Sequence, residues 1–511
     1  MIDMSLVGPN TVIRFGGEHR VAPMSWAAAI GGTMQKTPRK SAMAAPSSTV
    51  ADVVARGRAA MALYGAEIAR HGQPRIDEAV TGLAWSLYKP DNARRFAEIA
   101  VEVTGLGNVE SKVIKNQRKT FGTLRDLLRA KTTGIIEEIP EKGLVKYAKP
   151  VGLVAAITPS TNPQATPVNK AMMALKGGNA IVIAPPPSAW PASLPAIDAM
   201  RAELERIGLP ADLVQILPAP VTREATAELM ERSDLVLCTG SQANVRQAYK
   251  SGKPALGVGL GNVPVIIEAS ADLDDAARKI MLSKTFDNAT SCSSENAIVI
   301  EDAIWDGAIA ALRRQGGYLA TPEERARIVD RLWQDGKLHR GVIAQGPEAL
   351  CSVFDLGKAA SGCTFVMAEE TGIGKDHPLS GEKLSLVLTV YRARDFADAK
   401  RVVSAILAYQ GRGHSCGIHT RRLDLARELA AEMDVVRVLV NQAHTFGNGG
   451  GFDNGLAFTL SMGCGTWQGN ALSDNLNWRC FVNITHLVTT IPEDRPTEEA
   501  LFGPYWRKYG Q

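Results

Sequence analysis

The 511-residue sequence contains no apolar run near the roughly 18 residues that a membrane-spanning helix needs. Its net charge is only +4, because 57 Lys and Arg stand against 53 Asp and Glu, and this small excess is spread along the chain. Nucleic-acid and membrane surfaces need concentrated basic patches, so we expect neither partner. The seven cysteines include no pair with the close spacing of a metal or redox motif. We therefore expect no metal site, free thiols and a reducing cytoplasm.

Residues 1–48 differ in composition from the rest of the chain. They hold few acids, and they lack the basic start and continuous apolar core of a secretory signal. We interpret this segment as a mobile N-terminal extension. From Ser48 onward the pattern changes, and Ser47 or Ser48 is predicted to cap the first of three helices at Val50–His71, Arg75–Tyr88 and Asn92–Thr104.

The middle of the chain alternates short apolar strands with helices, which predicts a parallel, doubly wound α/β sheet. Its predicted strands are Val151–Ile157, Ala180–Ile183, Val214–Leu217 and Leu235–Cys238. A second region begins with strands at Val263–Ile267 and Ala297–Ile300. Two β-rich runs at 132–139 and 144–150 predict a hairpin, and the β-rich tail Cys480–Ile491 could pair with it or with a neighbouring subunit.

Three short motifs could carry chemistry. Cys292 follows the helical run Leu273–Lys284 in a loop of small polar residues, where backbone N–H groups would favour a reactive thiolate, although buried cysteines are usually inert. Asn162 follows a predicted strand and could donate to an oxyanion, although Asn-Pro is also an ordinary turn. Thr239-Gly240-Ser241 joins a strand to a helix, which suits a phosphate or a generic turn equally well.

In this order the motifs resemble the aldehyde dehydrogenase superfamily over Ser48 to Gln511. Several blocks match its branch that makes acyl-coenzyme A, which includes the aldehyde half of bifunctional alcohol/aldehyde dehydrogenases. The blocks are Ile157–Pro163, Asn179–Pro185, Thr239–Ser241, Gly257–Pro264, Cys292 in its loop, Glu382–Ser385, Gly413–Ser415 and Leu460–Asn470.

The resemblance implies an α/β fold with a Rossmann-type dinucleotide-binding domain over residues 49–267 and an α/β catalytic domain over residues 268–474. A β-rich oligomerisation arm would combine the hairpin at 131–150 with the tail at 475–511. We expect a homodimer or homotetramer on this basis.

The resemblance also implies roles for single residues. Cys292 matches the nucleophile that attacks the aldehyde, and Asn162 matches the oxyanion donor. NAD or NADP would contact the residues Thr158, Pro159, Ser160, Thr161, Pro185, Thr239, Gly240, Ser241 and Glu382, of which Glu382 would hold the nicotinamide ribose.

Two departures from the hydrolytic members are informative. Val258 stands where those members carry the Glu that activates water, and Glu268 follows a strand and should not replace it. When no such base is present to activate water, thiolysis of the enzyme thioester by coenzyme A is favoured over hydrolysis. Ala184-Pro-Pro-Pro187 lacks the acid that would repel a 2′-phosphate, so NADP is permitted as well as NAD.

The remaining candidates concern the substrates. His414 could assist the coenzyme A thiol or the thiohemiacetal, or serve as a structural histidine. Arg412 stands where the ethanol-forming relatives have an aliphatic residue, and it could hold a short anionic aldehyde such as sulfoacetaldehyde, contact a coenzyme A phosphate, or face solvent. Cys464 and Trp467 would border the aldehyde tunnel or simply pack in the core.

We therefore predict reversible, NAD(P)-dependent oxidation of a short aldehyde, with sulfoacetaldehyde favoured, to its acyl-coenzyme A through a Cys292 thioester. The alternatives are an acylating dehydrogenase for acetaldehyde or another short aldehyde, a phosphorylating semialdehyde reductase, and a superfamily member used as a binding or structural protein.

Overall fold

The computed structural model describes residues 49–511. The mobile extension predicted for residues 1–48 lies outside the described residues. The first four helices are α1 (Val50–His71), α2 (Gln73–Tyr88), α3 (Pro90–Thr104) and α4 (Val109–Leu128). Thr49 rather than Ser47 or Ser48 caps α1, because its hydroxyl accepts from the Asp52 backbone while the Asp52 carboxylate accepts from the Thr49 backbone. Helix α4 had no counterpart in the prediction.

The first parallel sheet is five-stranded and matches the predicted doubly wound region. Its strands are β3 (Leu153–Ile157), β4 (Ala180–Ala184), β5 (Val214–Ile216), β6 (Leu235–Cys238) and β7 (Ala255–Gly257), in the order β5-β4-β3-β6-β7. The interleaved helices are α5 (Ala165–Lys176), α6 (Trp190–Arg206), α7 (Arg223–Arg232) and α8 (Gln242–Lys250). The strand order reverses between β3 and β6, and ligands of such sheets bind at the carboxyl ends of the strands around this reversal.

The second parallel sheet has seven strands in the order β10-β13-β14-β9-β8-β15-β16. They are β8 (Val263–Ile267), β9 (Glu295–Glu301), β10 (Gly317–Leu319), β13 (Phe365–Glu369), β14 (Val387–Ala393), β15 (Gly413–His419) and β16 (Val435–Val440), while β11 (Trp333–Gln334) and β12 (Lys337–Leu338) form a separate small hairpin. The helices of this region are α9 (Leu273–Thr285), α10 (Trp305–Arg314), α11 (Pro322–Leu332), α12 (Pro347–Phe354), α13 (Phe396–Tyr409), α14 (Leu423–Glu432) and α15 (His444–Gly447). The sequence-based boundary at residue 267 follows β8, although β8 pairs only inside this second sheet.

A three-stranded antiparallel sheet joins the hairpin that precedes the first parallel sheet to the C-terminal tail. The hairpin of β1 (Gly134–Ile139) and β2 (Leu144–Pro150) pairs with β17 (Val482–Val488), so that Leu144 lies opposite Val488 and Pro150 opposite Val482. The tail therefore pairs with the hairpin of its own chain. The remainder of the tail forms α16 (Glu498–Tyr509), so its prediction as uniformly β-rich is wrong. Within residues 49–511, no helix is long and apolar enough to cross a membrane.

Candidate active site

Five residues link the end of β7 to the start of β8, so the carboxyl edge of the first sheet meets the amino edge of the second. Along that amino edge the order β14-β9-β8-β15 gathers segments that are remote in sequence. Glu382 precedes β14, Cys292 precedes β9, Gly261 precedes β8 and His414 opens β15. Parallel strands thus bring four of the predicted blocks to one edge of one sheet.

Cys292 lies in an irregular loop between α9 and β9. Just before it, Asp287, Asn288 and Ala289 take left-handed backbone conformations with φ of 52°, 50° and 59°. Non-glycine residues rarely adopt this region, and each costs about 1–3 kcal/mol unless the surroundings impose it. The loop that carries Cys292 therefore needs strong anchors.

Those anchors are two lysines of α4. The Asp287 carboxylate is fully buried and accepts hydrogen bonds from Lys112 Nζ at 3.1 Å and Lys115 Nζ at 2.5 Å. It also accepts from the Thr290 hydroxyl at 2.7 Å and from the Asn108 backbone at 3.0 Å. Burial acts to raise the pKa of Asp287, but Lys115, Lys112 and these hydrogen bonds outweigh it and lower the pKa. The carboxylate stays charged and ties the loop to α4.

Lys115 also fixes the orientation of Asn162, which follows β3. Its Nζ donates to Asn162 Oδ1 at 2.8 Å, so the amide oxygen is occupied and the amide NH₂ is the end left to donate, apart from a long 3.3 Å contact to Thr161. Asn162 and Ser291, the neighbour of Cys292, line the same small cavity. Within residues 49–511, the Cys292 backbone N–H makes no hydrogen bond. The Asn162 NH₂ and the Cys292 backbone N–H are therefore both left to donate, which are the two kinds of donor that an oxyanion hole requires.

The close approach of Gly261 to Cys292 allows no side chain. A Cβ on Gly261 would lie 2.3 Å from the Cys292 carbonyl oxygen and 2.8 Å from its Cβ. The neighbouring Gly259 is similarly constrained, by Gln468 and by the Cys464 sulfur at 2.7 Å. Through these glycines the block Gly257–Asn262 packs closely against Cys292 on one side and against Cys464 and Gln468 on the other.

The expected thiolate at Cys292 is wrong for this state of the protein. Burial raises the pKa of the Cys292 thiol to about 12, and the nearby charges of Glu382 and Cys464 act in the same direction, while Arg437 acts to lower it. The sequence-based argument rested on a helix terminus, but α9 ends seven residues earlier, at Thr285. The thiol is therefore protonated at neutral pH.

His414 is fully buried and neutral. Burial, followed by the charge of Arg437, holds its pKa well below the usual range. Its Nδ1 pairs with the Ser415 hydroxyl at 2.8 Å, and that hydroxyl also contacts His444 Nε2 at 2.9 Å. Its Nε2 is buried with no hydrogen-bond partner among the described residues. Arg437 donates hydrogen bonds to the His414 and Gly463 carbonyls and so holds the start of β15 in place.

A cleft of about 700 Å³ opens at the carboxyl ends of β3, β4 and β6. Among the predicted cofactor residues, Thr158, Pro185 and Ser241 line it. The Thr158 hydroxyl is buried without a hydrogen-bond partner within residues 49–511, so this wall offers a polar group that a ligand could engage. The Ser241 hydroxyl caps α8 by accepting from the Asn244 backbone at 3.3 Å. The size and these groups fit a dinucleotide.

Other predicted cofactor residues lie around this cleft. The Thr239 hydroxyl bonds the hydroxyl of Ser461, in the irregular segment that follows α15, at 2.7 Å. Gly240 follows Thr239, and Pro159, Ser160 and Thr161 continue from Thr158 toward Asn162. Glu382 is only partly exposed, and burial raises the pKa of its carboxyl to about 8. Its charge interacts with Cys292 and acts to raise the pKa of that thiol.

Glu268 does not take the place of Val258. It follows the carboxyl end of β8, whereas Cys292 lies at the amino edge, one full strand length away. Its carboxylate accepts from the Thr420 hydroxyl at 2.6 Å and the Ser270 hydroxyl at 2.5 Å. Glu268 is thus occupied in a separate hydrogen-bonded cluster.

The three substrate candidates are neighbours, because a Cβ on Gly413, which follows Arg412, would lie 2.1 Å from the Cys464 carbonyl oxygen and 3.1 Å from the Trp467 Cβ. The Arg412 side chain is 54% exposed and forms an ion pair with Asp434, whose carboxylate accepts from Arg412 Nε at 3.0 Å. Trp467 is exposed, whereas Cys464 is fully buried near Cys292. None of them lines the cavity that contains Asn162.

Sequence reasoning missed Lys112, Lys115 and Asp287. The one signal present was the repetition of cations along α4, with Lys112, Lys115 and Lys119 at helical spacing. Asp287, the partner of Lys112 and Lys115, lies more than 170 positions away in the chain, so spacing alone could not find these ion pairs.

Comparisons with known proteins bear on the family and the fold. Residues 78–321 match the aldehyde dehydrogenase family. The chain is 51% identical to an acylating sulfoacetaldehyde dehydrogenase of Cupriavidus necator, over 91% of this chain and 94% of that protein. It is 43% identical to an acylating sulfoacetaldehyde dehydrogenase of Bilophila wadsworthia, over 86% and 95%. Among solved structures, an acetylating aldehyde dehydrogenase of Geobacillus thermoglucosidasius matches with a TM-score of 0.83 and 34% identity, over 88% of this chain and 98% of that one.

Proposed function

Since the chain belongs to the aldehyde dehydrogenase family, we propose that it oxidises sulfoacetaldehyde to its acyl-coenzyme A, with NAD or NADP as acceptor and coenzyme A as co-substrate. The observation that carries the chemistry is that Lys115 bonds both the Cys292 loop, through Asp287 and Thr290, and the Asn162 amide oxygen. The choice of aldehyde rests on the acylating sulfoacetaldehyde dehydrogenases to which the chain is similar over most of its length.

In the first half-reaction the Cys292 sulfur attacks the aldehyde carbon and loses its proton to solvent. The Asn162 NH₂ and the Cys292 backbone N–H hold the developing oxyanion, a contribution of about 10²–10³ in rate per donor. Ser241 and the other cleft residues would hold NAD or NADP, with Glu382 at its nicotinamide ribose, and the cofactor would supply the acceptor for the hydride that leaves the thiohemiacetal carbon. The product on the chain is a Cys292 thioester.

In the second half-reaction the thiol of coenzyme A attacks this thioester. The new thioester leaves as acyl-coenzyme A, and the Cys292 thiol is restored with the proton from the incoming thiol. We assign His414 to this stage, since its buried Nε2 has no other partner within the described residues and can accept a hydrogen bond from the thiol. Val258 supports thiolysis over hydrolysis, because an aliphatic side chain cannot activate water.

A panel of aldehydes, assayed with and without coenzyme A while cofactor reduction is followed, tests the proposal. We expect continuous turnover only with coenzyme A, and acyl-coenzyme A as the product. Continuous turnover without coenzyme A, yielding the carboxylic acid, would show that the protein is a hydrolytic dehydrogenase. Turnover that requires inorganic phosphate would instead favour the phosphorylating alternative.

A further inference from the structure

The cavity that contains Asn162 and Ser291 has a cationic wall. Lys115, Arg118 and Lys119 line it from one face of α4, at positions i, i+3 and i+4, and no acidic residue lines it. Phe446 and Leu460 supply apolar surface on the opposite side. A cavity of this composition beside a nucleophile suits a small anion.

The three cations are not equivalent. Lys115 is neutralised by Asp287, as described above. Lys119 has no carboxylate partner among the described residues, and its one hydrogen bond goes to the Gly449 carbonyl at 2.7 Å. Arg118 makes no hydrogen bond within residues 49–511, and its Nε is buried without a partner. Both Arg118 and Lys119 therefore keep donors available to a ligand.

Arg118 is held in place by rings rather than by acids. Its guanidinium carbon lies 5.5, 5.0 and 5.7 Å from the ring centres of Phe446, Phe452 and Phe458. Cation–π contacts of this kind fix a planar guanidinium while leaving its edge N–H groups unused. Arg118 and Phe446 also line an outer cavity of about 400 Å³, where Asp453 is the acid whose charge reaches Arg118. Arg118 thus stands between the outer and inner cavities.

Two neighbouring cations without an acid in the inner cavity destabilise each other. Burial, followed by the charges of Arg118 and Lys115, lowers the pKa of Lys119 to about 7. An anion placed between Lys119 and Arg118 would offset the repulsion between these two cations and accept hydrogen bonds from their unused N–H groups.

Lys119 is also close enough to the nucleophile for its charge to interact with Cys292. In sulfoacetaldehyde only one CH₂ separates the sulfonate from the aldehyde carbon. A carbonyl held between Asn162 and Cys292 must therefore place its head group in the immediate surroundings, which this wall occupies.

We propose that Arg118 and Lys119 form the subsite that binds the anionic head group of the aldehyde. The assignment rests on the proposed function and deepens it, and it replaces Arg412, which is exposed and already paired with Asp434. A sulfonate presents three oxygens, enough for both cations at once.

The test measures kcat/KM with coenzyme A for sulfoacetaldehyde, succinate semialdehyde and neutral acetaldehyde. In Lys119→Met and Arg118→Met we expect the ratio of kcat/KM for sulfoacetaldehyde to kcat/KM for acetaldehyde to fall roughly ten- to a hundred-fold, as for loss of a charged hydrogen bond. Lys119→Arg should recover part of the ratio, and the matched control Arg412→Ile should keep the wild-type ratio. Comparable losses for succinate semialdehyde would mean that the subsite accepts carboxylates as well as sulfonates.

Ratios unchanged in both Met variants, a fall confined to Arg412→Ile, or a wild type that prefers acetaldehyde would overturn the assignment. A wild type with no coenzyme A-dependent turnover of any aldehyde would instead contradict the proposed function. A binding measurement separates the two failures. Isethionate, the alcohol analogue of sulfoacetaldehyde, should slow the alkylation of Cys292 by iodoacetamide in the wild type and slow it much less in Lys119→Met. Equal protection of the two proteins, or no protection of the wild type, would also overturn the assignment of Arg118 and Lys119.

Discussion

The substitution Asp287→Asn tests the anchor of the nucleophile loop. The Asp287 carboxylate is fully buried and meets Lys112 and Lys115 at 3.1 and 2.5 Å. Replacing it with the neutral amide leaves two buried ammonium groups without a counter-charge, which costs about 3–5 kcal/mol for a broken buried pair. The three left-handed residues of the loop would lose their main restraint at the same time.

We expect the free energy of unfolding of Asp287→Asn, measured in urea at pH 7, to fall by that amount. The matched control is Asp424→Asn, which breaks the exposed pair with Arg422 and should change the stability far less. Because the pKa of Asp287 is lowered, its stabilisation is present above the ordinary value of 3.8 and is lost as the pH falls through the folded-state pKa. The difference between wild type and variant should therefore shrink only below about pH 4.

Catalysis should suffer as well, since Lys115 would no longer be fixed between the loop and Asn162. We expect kcat to fall more than tenfold even at temperatures where the variant is folded. A variant as stable as Asp424→Asn, with wild-type kcat, would refute the view that the Asp287 ion pairs hold the loop in place.

Three further outcomes follow from the geometry. Gly261→Ala should lower kcat by about a hundred-fold with little change in the circular dichroism spectrum, because its Cβ would displace Cys292; wild-type kcat would contradict that packing. Alkylation of Cys292 by iodoacetamide without ligands should accelerate about tenfold per pH unit from pH 7 to 10, since burial raises the pKa of the thiol to about 12; a plateau below pH 9 would contradict it. Arg223→Gln should raise KM for NADP more than KM for NAD, because Arg223 is the basic residue lining the described cofactor cleft; equal changes would place the 2′-phosphate elsewhere.

The predictable parts of the site are those that the α/β topology dictates. Asn162 and Thr239 were found because each follows a parallel strand, and β3 and β6 are neighbours at the reversal of strand order. The hairpin followed from β-rich runs around a turn, whereas the sequence left open whether the tail pairs with this hairpin or with a neighbouring subunit. The assignments of domains and of oligomeric state remain predictions.

The parts that escaped prediction depend on contacts between remote segments. Helix α4 carries lysines and an arginine on the face that meets the active site, so its pattern differs from that of an ordinary amphipathic helix with an apolar inner face. The raised pKa of Cys292 depends on its burial and on charges such as that of Cys464, about 170 positions away, which no local motif reveals.

The intact mass of the protein after one half-reaction tests the central claim most directly. The enzyme is incubated with sulfoacetaldehyde and oxidised cofactor without coenzyme A, and the mass and the amount of reduced cofactor are measured together. We predict one acyl group on Cys292 and one reduced cofactor per active chain, with coenzyme A then releasing the adduct as a thioester. No adduct, or steady formation of reduced cofactor with free acid in the absence of coenzyme A, would contradict the account.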